Sequence, residues 1–173
     1  MPRRSWRPAV AEPLRLLVVC LGNICRSPLA EGVLRQRLEE ARLGHRVELD
    51  SAGTGGWHAG QPPDHRTIAN AARHGVDLAS LRARQLRSAD YREFDWLLCA
   101  DRSNLADVRE RAPAGATARS ALLLEWAGLG QGAEVPDPYT GGPEEFEHVW
   151  NLVDGAARAI VARLADRTAR IDA

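Results

Sequence analysis

The chain has 173 residues, a length typical of one domain, and its 45% hydrophobic content is enough for a buried core. Its 23 basic residues, all arginine, balance 23 acidic ones, so binding to nucleic acid or to a membrane surface through bulk charge is not expected. No segment approaches the roughly 20 apolar residues of a membrane span, and three cysteines do not indicate a disulfide framework. We therefore expect a cytoplasmic protein, and the arginine- and alanine-rich composition favours a GC-rich bacterial genome.

Segments with strand and helix patterns alternate along the chain. We predict a mobile tail at residues 1–13 and a folded domain at residues 14–173. Strands are predicted at 15–20, 46–50 and 95–100, with a fourth strand or a short connection at 119–124. Helices are predicted at 28–42, 64–74 (stopped by Gly75), 102–111 and 143–170, with a helical turn at 88–92. This alternation predicts a single-domain α/β three-layer sandwich, with a central parallel four-stranded sheet and helices on both faces.

The connection between the first strand and the first helix contains a cysteine and an arginine separated by five residues, Cys20 and Arg26. A helix N-terminus presents unpaired backbone N–H groups and partial positive charge, so it binds anions. We expect the loop amides to surround a tetrahedral dianion and Arg26 to grip two of its oxygens. The same positive environment favours the thiolate of Cys20. The predicted phosphate-binding loop comprises Leu21, Gly22, Asn23, Ile24, Cys25, Arg26 and Ser27.

Individual residues of this loop suit the same purpose. Gly22 permits a sharp turn, and Asn23 tolerates a left-handed backbone. The hydroxyl of Ser27 is placed either to stabilise the thiolate or to cap the helix, and Pro28 suits the first helical turn. A cysteine at a strand end is more often a small core residue, but the residues around Cys20 favour an anion-binding loop. A lipoprotein signal is excluded because Val19 is not small and the preceding apolar run is too short.

Further polar residues follow the ends of other predicted strands. Ligands bind beyond the carboxyl ends of parallel strands, which places Ser51 and Asp101 near Cys20. Asp101 either orients the loop and Arg26 or caps the helix that follows it. Asp137 lies between two prolines that restrict its backbone, and it is our candidate proton donor. An ordinary turn is the alternative role for Asp137.

Residues 19–28 resemble the active-site signature of low-molecular-weight protein tyrosine phosphatases. The resemblance spans roughly residues 14–165 and includes the segments 50–53, 83–85, 101–105 and 137–139, with Trp57. It implies hydrolysis of phosphotyrosine through a phosphocysteine, without metal or other cofactor: Cys20 is the nucleophile, Arg26 binds phosphate and Asp137 is the general acid and base. The implied partners are tyrosine-phosphorylated proteins, which in bacteria are either autophosphorylated tyrosine kinases or host proteins.

The resemblance also implies roles for residues around the catalytic ones. Trp57 and Tyr139 are expected to form an aromatic slot that selects phosphotyrosine over the shorter phosphoserine. Asn23 and Ser51 are expected to support the loop, and Cys25 to protect Cys20 from irreversible oxidation through a reversible disulfide; packing within the loop is the alternative role for Cys25.

Two positions depart from the family pattern. Leu81 stands where the family often has a histidine, so one hydrogen bond that supports the loop is missing or replaced. Thr140 stands where a second tyrosine often follows Tyr139, which makes one wall of the slot smaller.

Three other functions compete with this interpretation. A thiol-dependent arsenate reductase needs further cysteines, and only Cys99, inside a predicted strand, is available downstream. Protein-arginine phosphatases of the same family resemble this chain but carry threonine at the position of Ile24. A phosphate-binding module without catalysis would not need Cys20, Arg26 and Asp137 intact.

Overall fold

A computed structural model of the protein describes residues 11–172. The sheet has four parallel strands in the order β2-β1-β3-β4. Their bounds are β1 Leu14–Cys20, β2 Val47–Gly53, β3 Trp96–Cys99 and β4 Arg119–Leu122. Within the described residues, six α-helices surround the sheet: α1 Arg26–Glu40, α2 His65–Arg73, α3 Asp90–Glu93, α4 Arg102–Glu110, α5 Leu123–Trp126 and α6 Pro143–Asp172. A short 3₁₀ helix, Gly44–Arg46, precedes β2.

The central strand β1 has a buried core on each face of the sheet. Leu16 and Val18 belong to the larger core, which also contains residues of α1, α2, α5 and α6. Leu17 and Val19 point to the opposite face and belong to a smaller core formed with residues of α3 and α4. Because neighbouring side chains of a strand alternate between faces, one continuous apolar run fills both cores. The predicted three-layer α/β sandwich is confirmed.

The predicted helices and strands are all present, but several bounds differ. Helix α1 begins two residues before the predicted start, since Arg26 and Ser27 already lie in its first turn. Strand β2 continues to Gly53, beyond its predicted end at residue 50, because residues 51–53 pair with the end of β1. The segment 119–124 is divided between β4 and the short helix α5, which the sequence did not predict.

The other bounds agree closely with prediction. Gly75 follows α2 with φ +81°, a conformation that glycine adopts without strain. The helical turn expected at 88–92 is α3, and the last helix spans the whole predicted segment. Most of the predicted tail lies outside the described residues. Within them, no helix is long and apolar enough to cross a bilayer.

Candidate active site

The loop between β1 and α1 lies at the carboxyl end of the sheet, where ligands bind in parallel α/β folds. Its left-handed residue is Asn23, with φ +56°, as the sequence predicted. Gly22 does not adopt this conformation, and its lack of a side chain matters for another reason. A Cβ at Gly22 would lie 3.1 Å from Cδ2 of His58, so glycine leaves room for that ring.

A chain of buried hydrogen bonds leads from the sulfur of Cys20 into the protein. Ser27 Oγ lies 2.9 Å from Cys20 Sγ, and it accepts a hydrogen bond of 2.7 Å from Asn23 Nδ2. Asn23 Nδ2 also donates to Ser51 Oγ at 3.0 Å. Of the two alternatives for Ser27, the structure shows the contact with Cys20, because no side chain caps the start of α1. Asn23 and Ser51 meet beneath the loop, where they were expected to support it.

Arg26 is buried and has two partners at one end of its guanidinium. Nη1 donates to Asp101 Oδ2 at 2.6 Å and to the carbonyl of Val135 at 3.0 Å. Burial disfavours the cation, but the hydrogen bond to Asp101 and the negative charges of Cys20, Asp101 and Asp137 together outweigh it and raise the pKa of Arg26. Because both hydrogen bonds use Nη1, the Nε and Nη2 edge is left for a bidentate anion.

Asp101 performs both functions that the sequence left open. Its Oδ2 binds Arg26, while its Oδ1 accepts from the backbone N–H of Asn104 at 2.8 Å and so caps α4. A helix cap fixes the carboxylate because it uses one oxygen in a defined direction. The N-terminus of α4 therefore fixes Asp101, and Asp101 in turn holds Arg26 in place.

Asp137 approaches the same arginine from a different loop. Its Oδ2 lies 3.7 Å from Arg26 Nη2, and its Oδ1 accepts from the backbone N–H of Tyr139 at 3.1 Å. The chain just before it is fastened to the sheet, because the N–H of Val135 donates to the carbonyl of Ala100 at 2.8 Å. The carboxylate itself is 45% exposed, so it remains open to water.

A cavity of about 170 Å³ brings these groups together. Trp57 and Tyr139 stand at its sides, 69% and 50% exposed. The indole of Trp57 lies against the backbone of Gly55, where a Cβ would overlap the ring at 1.7 Å. His58 was not among the predicted site residues, and the structure places it in the wall of this cavity. The lining residues are Cys20, Leu21, Gly22, Ile24, Cys25, Arg26, Trp57, His58, Asp137 and Tyr139.

The three cysteines are free thiols with different surroundings. Cys20 and Cys25 both line the cavity, whereas Cys99 is fully buried within β3. Burial raises the pKa of Cys25 to about 12 and that of Cys99 to about 12. Both therefore remain protonated at neutral pH. Cys99 is buried, as expected, and unreactive.

Two residues that the sequence analysis missed complete the support of the loop. Glu31, buried in α1, accepts a hydrogen bond of 2.7 Å from Ser51 Oγ, and the backbone N–H of Arg84 donates to Asn23 Oδ1 at 3.0 Å. A glutamate inside a helix carries no sequence signal of burial. Leu81 is partly buried against the larger apolar core. Through Ser51, a carboxylate thus supports the loop from below.

The described part of the chain contains no cluster of histidine, cysteine and acidic residues arranged to hold a metal ion. The site is instead made of a thiol, a guanidinium and a carboxylate around one cavity. That set can hold an oxyanion, attack it with sulfur and exchange a proton with it.

Comparison with known proteins identifies relatives along nearly the whole chain. The family model for low molecular weight phosphotyrosine protein phosphatase matches residues 15–170. A low molecular weight protein-tyrosine-phosphatase of Streptomyces coelicolor is 42% identical, over 88% of this chain and 94% of that protein. A protein tyrosine phosphatase structure from Entamoeba histolytica superposes with TM-score 0.81 at 32% identity, covering 90% of this chain and 99% of the other. A Drosophila arginine phosphatase superposes with TM-score 0.80 at 26% identity, covering 87% and 98%. The chain belongs to the low molecular weight phosphotyrosine protein phosphatase family.

Proposed function

We propose that this protein hydrolyses phosphotyrosine in proteins through a phosphocysteine intermediate. The observation that carries the proposal is the convergence of Cys20, Arg26 and Asp137 on one cavity with aromatic sides. The three residues come from distant parts of the sequence, and each has the chemical group that one step of the reaction needs.

The phosphate group binds first, between the loop amides and Arg26. We expect the amides of the turn and of the start of α1 to donate to the phosphate, and the Nε and Nη2 edge of the guanidinium to bind two of its oxygens. Because Asp101 and Val135 already occupy Nη1, at 2.6 and 3.0 Å, the arginine does not have to reorganise when the substrate arrives. These donors stabilise the equatorial oxygens of the transition state, which is the main source of catalysis in phosphoryl transfer.

Cys20 then attacks phosphorus in line with the leaving oxygen. An electron pair of the sulfur forms the S–P bond, the P–O bond breaks, and the tyrosine oxygen takes the proton of Asp137. The hydroxyl of Ser27, 2.9 Å from the sulfur, stabilises the thiolate before attack. Asp137 is now a carboxylate. It accepts a proton from water, the water oxygen attacks phosphorus, and the S–P bond breaks to restore the thiolate and release phosphate.

The shape of the cavity favours an aromatic phosphate ester. Trp57 and Tyr139 both line the cavity, and a phenyl ring between them would gain apolar and stacking contacts. The shorter phosphoserine side chain reaches the phosphate site without filling that space. Ile24, also in the wall, offers no polar contact to the guanidinium of phosphoarginine.

The first experiment measures hydrolysis of p-nitrophenyl phosphate from pH 5 to 8 in EDTA, with the reduced protein and Cys20→Ser in parallel. We expect turnover by the natural protein alone, because Cys20→Ser lacks the nucleophilic thiol. Peptides carrying phosphotyrosine, phosphoserine or phosphoarginine then rank the substrates, with phosphotyrosine expected first. No turnover together with tight phosphopeptide binding would instead indicate a binding module.

An arsenate reductase is disfavoured by the environment of the cysteines. Its relay needs a second reactive thiol outside the loop, and Cys99 is fully buried with its pKa raised to about 12. Oxidation of protein thiols by arsenate would nevertheless restore that alternative, and quantifying free thiols after arsenate treatment tests it directly.

Cys25 protects Cys20 from irreversible oxidation in this proposal. Peroxide converts the Cys20 thiolate to a sulfenic acid, the Cys25 sulfur attacks it, water leaves, and a disulfide forms that thiols reduce. Both cysteines line the same cavity, and burial keeps Cys25 protonated, so it does not compete as a nucleophile. We expect activity to return after peroxide and then dithiothreitol in the natural protein but not in Cys25→Ser. Equal recovery would exclude this role.

The cellular setting completes the proposal. We place the enzyme in the cytoplasm of a bacterium, acting on tyrosine-phosphorylated proteins that include a bacterial tyrosine kinase. An arginine-only set of basic residues, typical of a GC-rich genome, supports this assignment. Dephosphorylation of an autophosphorylated bacterial tyrosine kinase, with Cys20→Ser as the inactive control, measures whether such a kinase is a substrate.

A further inference from the structure

Glu31 is a buried carboxylate that the catalytic steps do not use. It is 5% exposed, with Oε1 2.7 Å from Ser51 Oγ and Oε2 3.1 Å from the guanidinium of Arg35. Burial raises the pKa of Glu31, and its two partners only partly oppose that rise. A raised pKa means that the group stabilises the fold at low pH and that this contribution is lost as the pH rises. Its ionised form is therefore costly to bury, and Ser51 and Arg35 are the partners that stabilise it.

The orientation of Asn23 fixes the direction of the hydrogen bonds above Glu31. Its Oδ1 accepts from the backbone N–H of Arg84 at 3.0 Å, so its Nδ2 faces the two serines. An amide NH₂ group only donates. Ser27 and Ser51 therefore both accept from Asn23, at 2.7 and 3.0 Å, and each keeps one proton to donate elsewhere.

The hydroxyl protons of Ser27 and Ser51 each have one acceptor among these buried contacts. The proton of Ser27 points to Cys20 Sγ at 2.9 Å, and the proton of Ser51 points to Glu31 Oε1 at 2.7 Å. Without an acceptor at Glu31, the Ser51 proton would turn towards the Asn23 NH₂ group. Two facing donors repel, so the amide would move and release Ser27 from its orientation.

We propose that Glu31 is a positioning residue for the nucleophile Cys20, acting through Ser51, Asn23 and Ser27. The carboxylate receives the Ser51 proton and thereby keeps the Ser27 proton directed at the sulfur. This inference rests on the proposed function only in taking Cys20 as the nucleophile. Glu31, a buried residue of α1, thus supports the phosphate-binding loop from beneath.

The test uses two variants of similar size. Glu31→Gln keeps an acceptor oxygen, which faces the buried Ser51 because the half-exposed Arg35 can turn to water. Glu31→Met removes the acceptor. We expect iodoacetate to alkylate Cys20 at pH 6 about tenfold more slowly in Glu31→Met, the effect of losing one charge-assisted hydrogen bond, and within twofold of the natural rate in Glu31→Gln. The kcat for p-nitrophenyl phosphate should fall in parallel, with little change in KM.

A double-mutant comparison separates positioning from simple loss of stability. In a Ser27→Ala background the contact with sulfur is already absent, so Glu31→Met should no longer slow alkylation. Ser51→Ala interrupts the same chain of hydrogen bonds but leaves Glu31 in place, so it should slow alkylation as Glu31→Met does. If Glu31→Met does not fold, Ser51→Ala provides the test. The proposal would be overturned if Glu31→Met slowed alkylation equally in the natural and the Ser27→Ala backgrounds. It would also be overturned if both Glu31→Met and Ser51→Ala were alkylated at the natural rate. Alkylation needs no substrate, so it distinguishes this outcome from failure of the natural protein to hydrolyse p-nitrophenyl phosphate.

Discussion

The two loops that meet over the cavity are held in very different ways. In the phosphate loop, residues 20–27, the side chains of Cys20, Asn23, Arg26 and Ser27 are buried and joined to the protein interior by hydrogen bonds. In the acid loop, residues 135–142, Asp137 and Tyr139 are about half exposed. That loop is fastened to the sheet through the backbone of Val135, before the functional residues begin.

This difference matches what each loop has to do. Charge that develops on phosphate is stabilised best by donors that are fixed in advance, because no energy is then spent on reorientation. The acid must instead meet a leaving group and afterwards a water molecule, so it needs access to solvent. We therefore expect changes in the phosphate loop to affect catalysis or folding strongly, and changes in the acid loop to affect single steps.

Replacing Arg26 should have the largest effect. Arg26→Lys keeps the charge but loses the planar fork that binds Asp101, Val135 and phosphate together. We expect kcat/KM for p-nitrophenyl phosphate to fall about 10³-fold, the upper range for removing a transition-state donor. The matched control is Arg158→Lys on α6, where the arginine is 63% exposed and pairs with Asp154 at 2.9 Å. A loss below tenfold would mean that the loop amides alone hold phosphate.

Removing the acid should affect one chemical step rather than the whole site. Asp137→Asn keeps the size of the side chain and removes the transferable proton, so kcat should fall about 10²-fold. The loss should be greater for phenyl phosphate, which has the poorer leaving group, than for p-nitrophenyl phosphate. Glu134→Gln in the same segment is the control, because among the described residues its carboxylate contacts only Arg102, through an ion pair at 3.3 Å and a backbone N–H hydrogen bond at 3.0 Å. Equal losses with both substrates would place the acid elsewhere.

Packing beneath the phosphate loop should be intolerant of a single methyl group. A Cβ at Gly53 would lie 2.7 Å from the Leu21 carbonyl and 3.1 Å from the Asn23 backbone nitrogen, both parts of the loop. We expect Gly53→Ala to destabilise the protein by about 2 kcal/mol in urea denaturation, as overpacking does. Gly44→Ala is the control, because its nearest neighbour, 3.7 Å away, is a flexible side-chain atom. A cost below about 0.5 kcal/mol at Gly53 would show that the loop can move.

The contrast between the loops also explains what could be predicted from sequence. The strand, turn and helix start around Cys20 follow local rules, so the loop and the left-handed Asn23 could be anticipated. The contact between Glu31 and Ser51 could not, because the residues are twenty positions apart and join α1 to β2 only after the sheet forms. His58 was missed for a similar reason: its position in the cavity depends on how residues 54–61 fold back over the phosphate loop.

The acid loop should respond only slightly when its outer contacts are removed. The guanidinium of Arg66 lies 5.4 Å from the centre of the Tyr139 ring and 4.7 Å from that of Phe146. Arg66→Gln should let the tyrosine ring move, raising KM for a phosphotyrosine peptide about two- to threefold with kcat unchanged, the modest effect of an exposed cation–π contact. The cap of α2 should survive, because the Arg66 backbone N–H, which the variant retains, donates to Asp64 at 2.8 Å. Arg73→Gln on the same helix is the control. A comparable fall in kcat would show that Tyr139 also fixes Asp137, and the acid loop would then be as firmly organised as the phosphate loop.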